Sequence, residues 1–439
     1  MLGIGGLSAQ SFSDTLYGYR RENDVYFGSA VNYAGNEIPL YLDLYKPVGD
    51  GRTDRPLLVL VHGGAWIGGS KSDADIQALA PWFARFGYVV ASVSYRLGFH
   101  PSMGGGNGLA CPTYSAESNC VYPADSAEIL RAHYRAVQDV KGAVRFMKAR
   151  AAEDSVCLDR VFLGGISAGG FNALAAAFLD DPSEKPSVAA ALPDAPGPSN
   201  PLGYCHDYFN VPGAPISRAR PDLGDIEGSI ALNGYDTQVK GVANYFGGML
   251  LPLFLHMEAE VPSVYFFHQT NDVIVSCGYG RLLSELSYGC LDPLGFLGCT
   301  HVWNTPLSYG SCAMMDVIDA QNLNLNYYND VRDVGPPNCL ANPPGHSLLS
   351  GYQQAHSAAV YFGLQMDAAA SGCLSTSFSV PLRGRSLEVF PNPIAETFYL
   401  KNLESYSVIL VVDMQGCIRY RYDASASDKG ISVSQLPPG

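Results

Sequence analysis

Val161-Phe162-Leu163-Gly164-Gly165-Ile166-Ser167-Ala168-Gly169-Gly170-Phe171 is the stretch on which the fold turns. An apolar run over 161–163 reads as a short buried strand, and an apolar, alanine-rich run over 171–179 reads as a helix. Between them stands Gly-x-Ser-x-Gly, with Ser167 at its centre. A strand-to-helix turn this tight strains the backbone of the central residue. It also brings the helix so close to the strand that side chains on either flank would clash, which is the reason for glycine at 165 and 169. A serine held this way projects its hydroxyl from the end of a sheet, the setting of a nucleophile elbow. The plainer reading is a glycine-rich turn with a bystander serine. It leaves the flanking strand and helix without a purpose.

Outward from this turn, strands and helices alternate from about residue 41 to 364. The runs 57–61 and 88–93 are continuously apolar, as expected of strands buried on both faces. Residues 125–150 read as a long helix, with Val137, Val140, Val144 and Met147 at spacings of three and four. Residues 230–232 and 264–267 read as two further strands, and 353–364 as a closing helix. The alternation predicts an α/β fold with a mostly parallel central sheet and helices on both faces. Long segments at 97–124, 192–228 and 277–345 interrupt it and read as lids or binding loops. Directly after the strand at 57–61 comes His62-Gly63-Gly64-Ala65-Trp66. A glycine-rich loop in this place offers backbone N–H groups to a developing negative charge. Gly64 and Ala65, joined by Ala168 after the serine, are the expected oxyanion donors. Trp66 is the expected substrate-binding residue, and His62 is expected to hold the loop rather than react.

The 439 residues include 47% hydrophobic and only 15% charged residues, with a net charge of −14. This is enough apolar material for a large core, and it excludes a charge-rich disordered chain. So acidic a chain is a poor match for nucleic acid or anionic membranes. No stretch approaches the roughly 18–20 apolar residues of a membrane span. Eleven cysteines without a Cys-x-x-Cys pair point to disulfides in an exported protein rather than to a zinc site. The odd number leaves at least one thiol over, and Cys157, beside the strand at 161–163, reads as a core residue. Residues 1–10, small and apolar, read as the remnant of a signal peptide cleaved near Ala9.

Four stretches, His62–Trp66, Ser94-Tyr95-Arg96-Leu97, Arg135-Ala136-Val137-Gln138-Asp139 and Gly165–Gly169, stand in the order found in α/β-hydrolase carboxylesterases. Over roughly residues 31–365 the chain resembles the group with His-Gly-Gly-x-Trp, related to hormone-sensitive-lipase-like and to feruloyl and acetyl-xylan esterases. The resemblance implies a secreted serine ester hydrolase acting on short-chain, aryl or carbohydrate esters through an acyl-enzyme, with no metal or organic cofactor. It implies a triad in the order serine, acid, histidine. The acid is Asp272, following the strand at 264–267 in His268-Gln269-Thr270-Asn271-Asp272. Three histidines follow it. His356 falls in the closing helix and His301 among clustered cysteines. His346, after Gly345 on a loop, is the expected base. The 73 residues between Asp272 and His346 exceed the family's usual span, so 277–308 reads as an insertion, tied by Cys290 and Cys299 and rimming the pocket. The same motifs also occur in amide-cleaving hydrolases such as arylformamidases and peptidases, and a catalytically silent binding protein on this fold is a further alternative.

The catalytic domain is expected over 11–370, a linker over 371–386 and a small β domain over 387–439. Leu387-Glu388-Val389-Phe390-Pro391-Asn392-Pro393, with Val411–Gly416 and 431–439, resembles the C-terminal sorting domain of Bacteroidetes type IX secretion. That resemblance implies export through the periplasm to the cell surface or medium, with the type IX machinery as partner. The sorting signal reads as truncated after Leu436-Pro437-Pro438-Gly439.

Overall fold

The computed structural model describes residues 12–100, 126–195, 214–253, 261–283, 305–335 and 345–366, and five strands beyond residue 387. The chain divides into two compact units, Met1–Leu374 and Ser375–Gly439. The first is built on an eight-stranded sheet. Its strands are β1 (Gly18–Val31), β2 (Glu37–Val48), β3 (Arg55–Val61), β4 (Val89–Val93), β5 (Val156–Ile166), β6 (Gly241–Tyr245), β8 (Ser263–Gln269) and β11 (Tyr327–Arg332), in the order β1-β2-β4-β3-β5-β6-β8-β11. β2 is antiparallel to both β1 and β4, and every pair from β4 to β11 is parallel. A smaller antiparallel sheet joins β7 (Gly248–Met249), β10 (Leu307–Gly310) and β9 (Tyr279–Arg281). The molecule is thus an α/β-hydrolase fold with a mostly parallel sheet, as the alternating sequence pattern predicts.

The pleat of β3 shows how the sheet is covered. Leu57, Val59 and Val61 face one core, with α2 (Ser126–Ala149) and α4 (Ala168–Phe178). Leu58 and Leu60 face the other, with α1 (Ala74–Arg85) and α6 (Gly351–Gln365). Alternate side chains bury on opposite faces, so the run must be apolar throughout. A short helix α3 (Ala151–Asp154) leads into β5, and α5 (Ser311–Gln321) follows β10.

Three expectations are corrected. The segment 277–345, read as a lid or binding loop, contains β9, β10, α5 and β11, the last an edge strand of the main sheet. Residues 230–232 form a turn rather than a strand. Ile230 is buried, but it serves as a plug: a Cβ on Gly142 of α2 or on Gly28 of β1 would lie 2.6 Å from it. Its carbonyl accepts hydrogen bonds from the buried Arg145 guanidinium at 2.8 and 3.2 Å. The strand instead is Gly241-Val242-Ala243-Asn244-Tyr245, whose glycine and asparagine hide it from an apolarity reading. Cys157, read as a core thiol, is disulfide-bonded. Cys277 is bonded to Cys312, 35 residues on, so this bond closes the insertion. The Cys290–Cys299 pairing, His301, Cys111, Cys120, Cys339 and residues 1–10 lie outside the described residues.

The second unit has antiparallel strands. β12 (Glu388–Phe390), β13 (Thr397–Lys401) and β16 (Ile431–Ser432) form one sheet, and β14 (Val408–Val412) with β15 (Ile418–Asp423) another.

Candidate active site

β5 ends at Ile166, and Ser167 follows with φ 54° and ψ −122°, a left-handed conformation unusual for a residue with a side chain. The turn holds it there: Ser167 N–H donates to the Tyr245 carbonyl at 2.9 Å, and Gly170 N–H to the Ser167 carbonyl at 2.8 Å. The glycines are required by backbone rather than by choice. A Cβ on Gly165 would sit 2.0 Å from the Gly169 carbonyl oxygen, and one on Gly169 2.2 Å from that of Val61.

The structure brings the three expected side chains together. Ser167 Oγ lies 2.8 Å from His346 Nε2, and His346 Nδ1 lies 2.7 Å from Asp272 Oδ2. The Nδ1–H tautomer follows, since the carboxylate only accepts. Nε2 is then free to accept the serine hydroxyl hydrogen. Asp272 follows β8, and its Oδ1 accepts the amides of Ile274 at 2.9 Å and Val275 at 3.0 Å. Burial pushes this carboxyl up, but the charge and hydrogen bond of His346 and the hydrogen bond of His268 outweigh it and hold it below its ordinary range. Asp272 also bridges to Gly345 in parallel register, which sets the His346 loop beside the acid. A Cβ at 345 would lie 2.5 Å from Asn271 Oδ1, so only glycine fits before His346. The Phe246 ring packs edge-on against the imidazole at 4.7 Å.

The His62–Trp66 loop lies against this turn, for a Cβ on Gly63 would be 3.1 Å from Ser167 Cβ. Gly64, Ala65 and Trp66 have φ of 105°, 51° and 62°. The Gly64 carbonyl accepts the amides of Ile67 and Gly68 at 3.0 and 2.9 Å. The N–H groups of Gly64, Ala65 and Ala168 donate to no backbone acceptor among the described residues. His62 holds the loop, as its place in the sequence suggests. Its Nδ1 lies 2.7 Å from the Gly63 carbonyl, and its ring stacks on Tyr95 at 4.4 Å. Burial pushes its pKa down to about 4.

Trp66 walls a small apolar cavity of about 30 Å³ beside Ser167 and Ala168, with Ile129, Phe171, Ile274, Leu282 and Leu283. Its indole N–H is committed, donating to Asn172 Oδ1 at 2.9 Å. The same oxygen lies 2.9 Å from Nδ1 of the buried His133. Nothing in the sequence singles out Asn172 or His133; the one signal is proximity, Asn172 standing five residues past Ser167. The sequence also passes over Asn244 and Ser311, and it marks His268 only as part of the acid's motif. Among the described residues no cluster of His, Cys, Asp or Glu is arranged to hold a metal ion. Nor is any helix there long and apolar enough to cross a membrane.

Residues 42–101, which contain the His62–Trp66 loop, match the family model BD-FAE, an esterase-type α/β-hydrolase. The match includes none of Ser167, Asp272 and His346. No curated protein matches the chain. Among solved structures, the chain is similar to a bifunctional GH43-CE protein of Bacteroides eggerthii, at 14% identity and TM-score 0.43 over 79% of this chain. It spans only 35% of that larger protein. It is also similar to a truncated carbohydrate esterase from gut microbiota, at 14% identity and TM-score 0.41 over 80% of this chain and 98% of the other. A third is esterase Est2 of Thermogutta terrifontis with propionate bound, at 15% identity and TM-score 0.39 over 77% and 93%.

Proposed function

We propose that this chain is a serine carboxylic-ester hydrolase working through an acyl-enzyme on esters of short acyl groups. The observation that carries the reading is the continuous hydrogen-bonded line from Ser167 Oγ through His346 to Asp272. Ser167 Oγ attacks the ester carbonyl carbon while its proton passes to His346 Nε2. The carbonyl oxygen becomes an oxyanion, and the N–H groups of Gly64, Ala65 and Ala168 stabilise it. Each such donor contributes about 3 kcal/mol in comparable sites. Asp272 keeps the imidazole in the Nδ1–H tautomer and stabilises the imidazolium. That imidazolium returns its proton to the departing alkoxide, leaving the acyl group on Ser167. A water molecule then repeats the sequence and regenerates the serine.

The apolar wall beside Ser167, formed by Trp66, Phe171, Ile274 and Leu282, supports an apolar acyl group. We further propose export by the type IX route, with the C-terminal strands as sorting signal. The Cys277–Cys312 bond and the bonded Cys157 support it, because disulfides persist in oxidising compartments.

The test is hydrolysis of p-nitrophenyl acetate, butyrate, octanoate and palmitate by the wild type and by Ser167→Ala. Activity should be greatest on acetate, fall with chain length, and drop by at least about 10³-fold in the variant. A folded wild type inert on all four esters, or a variant that keeps its rate, would sink the reading. Cleavage of aryl formamides without cleavage of esters would replace it with the amide-cleaving alternative.

A further inference from the structure

Behind the acid lies a second histidine that the reaction does not use. His268, on β8, is fully buried, as are Asn244 on β6 and Ser311 at the start of α5. Their polar atoms form one directed chain. Gly247 N–H donates to Asn244 Oδ1 at 3.2 Å, and Asn244 Nδ2 donates to Ser311 Oγ at 3.1 Å. Ser311 Oγ lies 2.9 Å from His268 Nδ1. His268 Nε2 lies 2.9 Å from the Val275 carbonyl and 3.3 Å from Asp272 Oδ2. Nε2 must carry the hydrogen, because both of its partners are acceptors. Nδ1 faces the Ser311 hydroxyl, which Asn244 anchors in turn.

The chain touches both halves of the site. At one end, a Cβ on Gly247 would lie 2.7 Å from the Ser167 carbonyl and 2.6 Å from Asn244 Oδ1. One on Gly170 would lie 2.4 Å from that same oxygen, so Asn244 packs directly on the elbow backbone. At the other end, His268 shares Asp272 Oδ2 with His346, and it holds Val275, whose own amide donates to Asp272 Oδ1. The neighbouring residues of α5 grip the same loop: Cys312 is bonded to Cys277, and Ala313 N–H donates to the Cys277 carbonyl at 3.1 Å.

We infer that His268, anchored through Ser311 and Asn244, is a positioning residue that sets the Asp272 carboxylate against His346 and ties it to the nucleophile turn. The inference rests on the ester-hydrolase reading and adds residues to its site. His268 Nε2 is held by the Val275 carbonyl and lies 3.3 Å from Asp272 Oδ2, a second polar contact that keeps the carboxylate aimed at His346. The charged and titratable groups facing His346 are Asp272 and, from α1, Asp75.

The experiment uses the full chain as His268→Gln, Ser311→Ala and the double variant. It measures kcat and KM for p-nitrophenyl acetate against pH, with thermal unfolding as a check on folding. Loss of a polar contact that aims a charged group costs roughly ten-fold or more in rate. His268→Gln should therefore lower kcat by about ten-fold or more and leave KM within about two-fold. Ser311→Ala, the milder change, should lose less. Because Ser311 acts through His268, the double variant should be no worse than His268→Gln alone. With less of its charge shared, Asp272 should hold a proton on His346 more firmly, and the acidic limb of the rate profile should move to higher pH. Losses that multiply in the double variant, or a limb that stays in place, would mean a packing role only and overturn the inference. The low-field proton resonance of His346 Nδ1–H gives a second reading independent of turnover. It should shift in both single variants, and an unchanged resonance counts against the strap. If the wild type hydrolyses no ester, the functional reading fails, while the resonance still decides the positioning role.

Discussion

His62 and His133 are fully buried as neutral rings, and burial pushes each pKa down to about 4. In the unfolded chain both titrate near 6.5. Between these values the unfolded state binds more protons than the folded one, so stability is complete above about pH 6.5 and falls as pH drops toward 4. Two such groups give a slope of up to about 2.7 kcal/mol per pH unit. His356 is shifted in the same direction by its burial. Denaturant unfolding between pH 7 and pH 5 should show this loss, and His133→Gln should remove about half of it. Equal slopes in the two proteins would show that His133 is not buried neutral. At this scale, chemistry was legible in the sequence where a residue type stands in a dictated place. Ser167 is fixed by its glycines, Asp272 by the end of a strand, and His346 by its loop and its glycine. Asn172, Asn244 and Ser311 were not legible. Each contributes a single amide or hydroxyl to a partner 39 to 106 residues away, and no spacing along the chain announces such a contact.

The strand-to-helix packing at the nucleophile turn makes glycine substitutions differ in sign. A Cβ at Gly169 would meet the carbonyl oxygens of Val61 and His62 at 2.2 and 2.5 Å. Both are backbone atoms, so nothing small moves aside, and α4 would have to leave β3. Gly169→Ala should cost more than about 3 kcal/mol and remove activity. Gly363 lies in α6 with nothing within 4 Å of a Cβ. Gly363→Ala should therefore add up to about 1 kcal/mol through reduced backbone entropy. Midpoints of chemical unfolding for the two variants check both signs, and a tolerated Gly169→Ala would mean that the turn is looser than these distances allow. The same contrast explains which elements were legible. β3 and β4 are buried on both faces and read as apolar runs. β5 extends over Val156–Ile166 although only its centre reads as a strand, because Asp159 and Arg160 interrupt the apolar pattern. β6 was displaced in the reading to Ile230, since a buried isoleucine on a turn and one on a strand look alike in sequence.

The whole chain separates the proposed chemistry from the proposed address. Ser167, Asp272, His346, the oxyanion loop, the strap through His268 and the Cys277–Cys312 bond all lie in the unit Met1–Leu374. The unit Ser375–Gly439 contributes antiparallel strands. Division of labour predicts that a chain ending at Leu374 keeps kcat/KM for p-nitrophenyl acetate within about two-fold of the full chain, because the proposed triad and oxyanion donors all belong to the first unit. It should also keep the wild-type dependence on acyl length, since Trp66, Ile129, Leu282 and Leu283 all remain. The same truncation of the natural precursor, expressed in a host with a type IX machinery, should hold the protein in the periplasm, whereas the untruncated precursor reaches the surface or the medium. The two readouts fail independently. A folded, truncated chain that loses more than about ten-fold in kcat/KM would assign the second unit a part in catalysis. A truncated chain that still leaves the cell would remove the sorting role from residues 375–439 and leave the hydrolase reading untouched.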